Sequence, residues 1–277
     1  MGINKYKSRR VRDLVGAVPD ADAMLDYLKN GLGVPSSQIR NLRNNEATRD
    51  AIIKEIEAFS FNDDIKEGDP ILIYFAGHGS SVDTPDGWEV GSTGRIELLV
   101  PYDHSSPLDD SNPKHGIPDR TLEALLSNLA NKKGNNIVRQ TFILRAFIYQ
   151  LITVHDQTVI LDCCHSGSGT RNLPPVDPAF RARAIEVGSV PSNLDQDIWG
   201  DSECLERGTE VHSGFARKGL RSHVLLAACH SQESAYERTS RGVFTVALLE
   251  TLMHPNIGID KLTYATLLDQ IPPLSSG

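Results

Sequence analysis

The sequence predicts an α/β fold, a three-layer α/β/α sandwich around a mostly parallel central sheet, and three observations carry that expectation. Two uninterrupted apolar runs, Pro70–Ala76 and Thr158–Leu161, read as strands buried on both faces. Segments of helical period lie between the strand-like runs. Both runs stop at turns bearing reactive side chains, and α/β sheets gather their chemistry at the C-terminal ends of strands.

The elements follow in order. Asp20–Leu32 places Ala21, Met24, Leu25 and Leu28 on one helical face, and Gly33 ends it. Gln38–Leu42 suits a short strand. Thr48 is a good N-cap for a helix over Arg49–Phe61, whose apolar stripe is Ile52, Ile53, Ile56 and Phe59. The strand Pro70–Ala76 runs into Gly77-His78-Gly79. Ile96–Val100 reads as another strand, and Pro118 introduces a helix over Thr121–Leu129 that Gly134 closes. Thr158–Leu161 and His223–Ala228 complete the strands, while Val243–Met253 and Tyr264–Leu268 read as helices. Strands separated by helices favour parallel pairing.

Two stretches depart from this pattern. Residues 171–220, rich in Pro, Gly, Asp and Arg without periodicity, read as a linker between a larger part (1–170) and a smaller one (221–277). Val138–Gln157 interrupts a passage that would join well without it. Its end residues can be encoded as intron borders, so it is expected to be an insertion or a translated retained intron; the alternative is an extra amphipathic helix. Sequencing the mature transcript decides between them. The ends look trimmed: Gly2–Tyr6 resembles the exit from a strand, and the chain stops after Ile271-Pro-Pro-Leu before another could form.

Composition bounds the function. With 39% hydrophobic and 23% charged residues the chain is an ordinary globular sequence, and its net charge of -8 argues against a nucleic-acid binder. No signal peptide opens it, and the longest apolar stretch, Thr141–Val154, is broken by Arg145 and Gln150 and is too short for a membrane span. Four cysteines, two of them adjacent (Cys163 and Cys164), read as free thiols in a reducing cytoplasmic or nuclear compartment. A zinc site at Cys163, Cys164, His165 and Cys229 lacks the usual ligand spacing.

The chemistry sits at two strand ends. A cysteine attacks a carbonyl as thiolate and needs a neighbouring base, usually histidine. Here Ala76-Gly77-His78-Gly79-Ser80 and Cys163-Cys164-His165-Ser166-Gly167 each set a candidate among small residues. Glycines let a substrate backbone approach and free amide groups for an oxyanion.

Tyr74-Phe-Ala-Gly-His-Gly-Ser80 and Leu161-Asp-Cys-Cys-His-Ser-Gly167 resemble the two catalytic signatures of the metacaspases, relatives of the caspases. The resemblance runs from about Gly2 to Leu268, apart from the insertion and linker. It implies a caspase-like sandwich and a Cys-His cysteine endopeptidase with Cys164 as nucleophile and His78 as its base. The N–H groups of Gly79 and Cys164 would form the oxyanion hole. Asp20 and Asp162 would bind a basic P1 side chain (the residue whose carbonyl is attacked), so protein or peptide substrates would be cut after Arg or Lys. Calcium is the one cofactor implied, with Asp103 and Asp119 as ligands; no organic cofactor, nucleic acid or membrane is expected, and the chain would act as a monomer. Arg181, Arg183, Arg207, Arg217 and Lys218 become self-cleavage candidates, given exposure. The competing reading is a non-enzymatic caspase-like scaffold.

Overall fold

The computed structural model describes residues 1–88, 94–106, 110–134, 157–164, 180–199, 224–229, 235–255 and 263–272. Three parallel strands form the central sheet in the order β1 (Ile71–Ala76), β5 (Gln157–Asp162), β7 (Val224–Ala227). Register is fixed by Ile71 opposite Gln157 and Ala76 opposite Asp162, and by Leu161 opposite Ala227. Gly2 adds an isolated parallel bridge to Ala76. A second, antiparallel sheet comprises β2 (Gly79–Asp83), β3 (Arg95–Leu99) and β4 (Ile117–Pro118). A third comprises β6 (Phe180–Ala182), β8 (Tyr236–Arg238) and β9 (Arg241–Gly242).

Alternation along the strands divides the interior into two cores. Ile71, Ile73, Phe75, Val159, Leu161 and Cys163 pack with α2 (Arg49–Phe61) and α3 (Asp119–Lys133), through Ile52, Ile53, Ile56, Leu122 and Leu126. Tyr74, Ala76, Ile160 and Leu226 face the other way. They meet Ala17, Ala21 and Met24 of α1 (Ala17–Asp26) and Phe244 and Leu248 of α5 (Val243–Leu252). Each fully buried Ile or Leu contributes roughly 1.5–3 kcal/mol, which makes the periodic apolar stripes decisive for layer order. The α/β sandwich is the predicted one. The remaining helices are α4 (Gln196–Trp199) and α6 (Tyr264–Gln270).

Several boundaries differ from expectation. The first helix starts earlier, at Ala17, and its last turn over Tyr27–Gly31 widens to a π-turn. The strand expected over Gln38–Leu42 does not form: residues 36–38 make a 3-10 turn and 39–42 belong to no strand. The linker is more ordered than its composition suggests: β6, α4 and the fully buried Arg183 all lie within it. Phe180-Arg-Ala-Arg-Ala184 does carry a strand-like alternation, masked by the Pro- and Gly-rich sequence around it. Of the suspected insertion only Gln157, the first residue of β5, lies among the described residues.

Candidate active site

Strand ends bring the two reactive side chains to one place. Ala76 and Asp162 are register partners, so His78, two residues beyond β1, and Cys164, two beyond β5, emerge from neighbouring strand termini. Cys163 belongs to the core beneath α2 and α3, as alternation requires, which leaves Cys164 on the other side. Gly79 passes so close to Cys164 that a Cβ there would stand 1.8 Å from the Cys164 carbonyl oxygen. Only glycine fits.

The imidazole of His78 is oriented by its surroundings. Its Nε2 donates to the Arg12 carbonyl at 2.7 Å, which fixes the tautomer and leaves Nδ1, buried and without a hydrogen-bond partner, as the basic nitrogen. The His78 N–H donates to the Tyr6 hydroxyl at 2.8 Å, and the Tyr6 ring lies 5.1 Å from the imidazole. Burial lowers the His78 pKa to about 4, opposed by the carbonyls of Arg12 and Arg183. Burial likewise pushes the Cys164 thiol well above its ordinary range, reinforced by a hydrogen bond with Cys229. In this state both groups are neutral. Sγ accepts from the Ala235 N–H at 2.9 Å and donates to the Ala235 carbonyl at 3.1 Å.

What buries them is the chain's own segment 180–185. Upstream of Arg183, β6 pairs antiparallel with β8, with Ala182 opposite Tyr236. The Arg183 N–H donates to the Ala235 carbonyl at 2.9 Å. Downstream, Ala184 bridges to Gly79, the Ile185 N–H donates to the Gly79 carbonyl at 3.2 Å, and the Ser80 hydroxyl donates to the Ile185 carbonyl at 2.6 Å. Between these two pairings the Arg183 carbonyl accepts from the N–H of Gly79 at 2.9 Å and the N–H of Cys164 at 3.3 Å. These are the two amides that the resemblance to the metacaspases assigns to an oxyanion.

The Arg183 side chain is fully buried among carboxylates. Its Nη2 lies 2.5 Å from Asp20 Oδ2 and 3.7 Å from Glu237 Oε2; its Nη1 lies 3.0 Å from Asp162 Oδ2 and 3.2 Å from the Asp162 carbonyl. Asp20 is held by the Gly242 N–H at 2.7 Å and by Arg241 Nε at 2.6 Å. Asp162 is held by the Thr245 hydroxyl, itself bonded to Tyr74. Burial raises the Asp162 pKa, and the Arg183 charge draws it back. The same carboxylates raise the pKa of Arg183 and hold it cationic. A Cβ on Gly242 would stand 2.3 Å from Asp162 and 2.6 Å from Asp20, so the pocket exists because residue 242 has no side chain.

The structure thus gathers His78, Cys164, Gly79, Asp20 and Asp162 around one arginine. It does not gather the two calcium candidates there. Asp103 Oδ1 accepts from the Arg49 N–H at 2.8 Å, a contact at the start of α2. Asp119 opens α3 and accepts from the Arg120 N–H at 2.7 Å. Calcium takes roughly six to eight oxygen ligands. Among the described residues no three His, Cys, Asp or Glu side chains converge on a point, and no step is routed through a metal. Of the self-cleavage candidates, Arg181 is exposed but Arg183 is buried, contrary to the expectation that such sites be exposed; Arg207, Arg217 and Lys218 lie outside the described residues. Sequence reasoning missed Arg12, Tyr6, Ala235, Glu237, Arg241 and Gly242. Arg12 and Ala235 act through carbonyls, which any residue type supplies.

An α/β sandwich whose adjacent parallel strands end in a histidine and a cysteine defines a caspase-type protein. The chain belongs to the caspase-domain family Peptidase_C14, whose model matches residues 1–271, and the family is one of cysteine peptidases acting on protein substrates. Among solved structures it is similar to the protein GSU0716 from Geobacter sulfurreducens. The two share 19% identity and a TM-score of 0.59 over 99% of this chain and 88% of the other, a likeness of fold. No curated protein matches the sequence. Among the described residues no helix is long and apolar enough to cross a membrane.

Proposed function

We propose that the protein is a cysteine endopeptidase of metacaspase type that cuts after arginine, with Cys164 as nucleophile and His78 as its base. The observation that carries this reading is Arg183: its guanidinium fills the acidic pocket while its carbonyl accepts from Gly79 and Cys164. A peptide held in this way, by strand pairing on both sides of its P1 residue, is a substrate pose.

The chemistry follows from the contacts. The Cys164 thiol turns from Ala235 to the unoccupied Nδ1 of His78 and gives up its proton; the sulfur adds to the P1 carbonyl carbon. Negative charge develops on the oxygen already facing the two amides, where each donor is worth roughly 2.7–4 kcal/mol. The tetrahedral intermediate collapses to a thioester as His78 passes its proton to the departing amine, and water then hydrolyses the thioester to regenerate the thiol. The chain's own Arg183–Ala184 bond would be the first one cut.

The test is hydrolysis of fluorogenic peptides ending in Arg, Lys, Asp or Asn, with and without calcium. The expected result is cleavage of the basic peptides, abolished by Cys164→Ala and by His78→Ala. A well-folded wild type that cuts none of them overturns the reading and favours a scaffold.

A further inference from the structure

We propose that the face made by β2, β3 and the first turns of α2 and α3 is a second binding site, which grips a protein substrate well downstream of the cut. Its ligand is an acidic residue followed four positions later by a tryptophan, as Asp195 is followed by Trp199. The inference rests on the arginine-peptidase reading above and deepens it, since it takes Arg183 to mark where a substrate is cut.

The chain's own residues 185–199 sit on this face. They leave the strand ends through the Ile185 contacts to Gly79 and Ser80 and run over the outer sheet. Val190 packs with Val82, Trp88, Ile96 and Leu98 in a small apolar cluster separate from the two cores of the central sheet. Trp88 Nε1 donates to the Ser192 carbonyl at 2.6 Å. The Asp195 carboxylate pairs with the Arg49 guanidinium and accepts from the Thr121 hydroxyl at 2.7 Å. The Trp199 ring meets Trp88 edge to face at 5.3 Å. The Arg120 guanidinium lies over both rings, 3.8 Å from the Trp199 centroid and 5.4 Å from that of Trp88.

These are the contacts of a binding face and its ligand. Trp and Arg anchors carry most of the energy in protein interfaces, and a guanidinium over indole rings adds to it. Arg49, Arg120 and Thr121 lie in the first turns of long helices whose apolar stripes are locked into the main core. The segment is the part that conforms. Gly188, Ser189, Pro191, Ser192 and Asn193 are exposed between its anchors. α4 has only 4 residues, too few to persist unaided. Asp195 stands at φ 59°, in the left-handed region, where its two side-chain contacts hold it. The fit also leaves two buried donors, Arg49 Nε and Trp199 Nε1, without a hydrogen-bond partner among the described residues. Unmet donors weaken the hold, so a substrate with the same two anchors can displace the segment. A substrate whose P1 arginine replaces Arg183 leads its own downstream chain past Gly79 and Ser80 to this face.

The test opens the face by combining Asp195→Ala and Trp199→Ala in the Cys164→Ala protein, where nothing is cut. In an anisotropy titration, a fluorescein-labelled peptide of residues 184–199 should bind at least about tenfold more tightly than the same peptide carrying both substitutions. Arg120→Ala in the protein should remove that difference. Equal binding of the two peptides, or none, overturns the inference and leaves 185–199 as internal packing. Should the opened protein fail to fold, Asp195→Asn alone takes its place. Activity supplies a second readout. With Cys164 restored, an internally quenched peptide of residues 180–199 should be cut with a kcat/KM at least about tenfold above that of its doubly substituted version. Arg120→Ala should erase that preference and leave cleavage of a short Arg-ending peptide unchanged. Cleavage of the short peptide without preference between the long ones overturns the inference and leaves the peptidase reading intact. Absence of all cleavage overturns the peptidase reading and with it the claim that the ligand is a substrate, while the titration still shows whether the face binds.

Discussion

Removing the Arg183 side chain should release the site, and the size of the effect can be worked from its contacts. The guanidinium is fully buried against Asp20, Asp162 and Glu237, with Arg241 as a further cation on Asp20. In Arg183→Ala the three buried carboxylates lose that guanidinium, and among the described residues Arg241 remains paired with Asp20. Removing one partner of a buried ion pair costs about 3–5 kcal/mol because the other is left uncompensated. The acids escape that cost if the strand leaves and water enters. Occupancy of the site by the 180–185 segment should therefore fall by roughly two to nearly four orders of magnitude. In the Cys164→Ala background, where nothing is cut, Arg183→Ala should lower the melting temperature by roughly 6 °C or more. The deficit should shrink as pH falls far enough to protonate Asp162, whose pKa burial raises, because the neutral acid no longer repels its neighbours. With the nucleophile present, Arg183→Ala should hydrolyse an Arg-ending peptide without a lag, whereas the wild type should show a lag while its own strand occupies the site. An unchanged melting temperature together with an unchanged lag would refute the reasoning.

Three other outcomes are expected. Gly242→Ala, whose Cβ would collide with both Asp162 and Asp20, should abolish cleavage after Arg while near-native circular dichroism shows that the fold survives; retained activity would contradict the pocket. Alkylation of Cys164 by iodoacetamide, followed by peptide mass spectrometry, should be slow in the intact chain and at least about tenfold faster in Arg183→Ala, because burial holds the thiol protonated. Finally, burial raises the pKa of Glu97 to about 8 and that of Asp119 to about 7, so the folded state holds protons that the unfolded state releases. Their contribution to stability is present below the ordinary carboxylate pKa and is lost as pH rises toward 8. Glu97→Gln should flatten that decline in a denaturant titration series.

The sequence made the sandwich legible because its signals are local. Apolar runs such as Ile71–Ala76 are buried on both faces whatever surrounds them, and helical stripes such as Ile52, Ile53 and Ile56 point to one neighbour. His78 and Cys164 were legible because strand ends and small neighbours single them out, whereas Asp20 and Asp162 were reached only through the resemblance to the metacaspases. Glu237, Arg241 and Gly242 were not, since their role exists only when residues more than 200 positions apart meet, as the Gly242 N–H meets Asp20. Arg183 was visible as one basic residue among several. Only the pairing of β6 with β8 and the closeness of Gly79 explain why this arginine, and not Arg181 two residues earlier, enters the pocket: alternation turns the two side chains to the same face, and Arg183 alone falls beside the strand ends.

The central claim is that Arg183 occupies the site as a substrate, and incubation of the purified chain tests it most directly. Intact mass and N-terminal sequencing of the products should show fragments 1–183 and 184–277, the second beginning at Ala184, and Cys164→Ala should remain whole. A wild-type chain that cleaves Arg-ending peptides yet never cuts itself after Arg183, or that cuts itself only at other basic residues, would contradict the account.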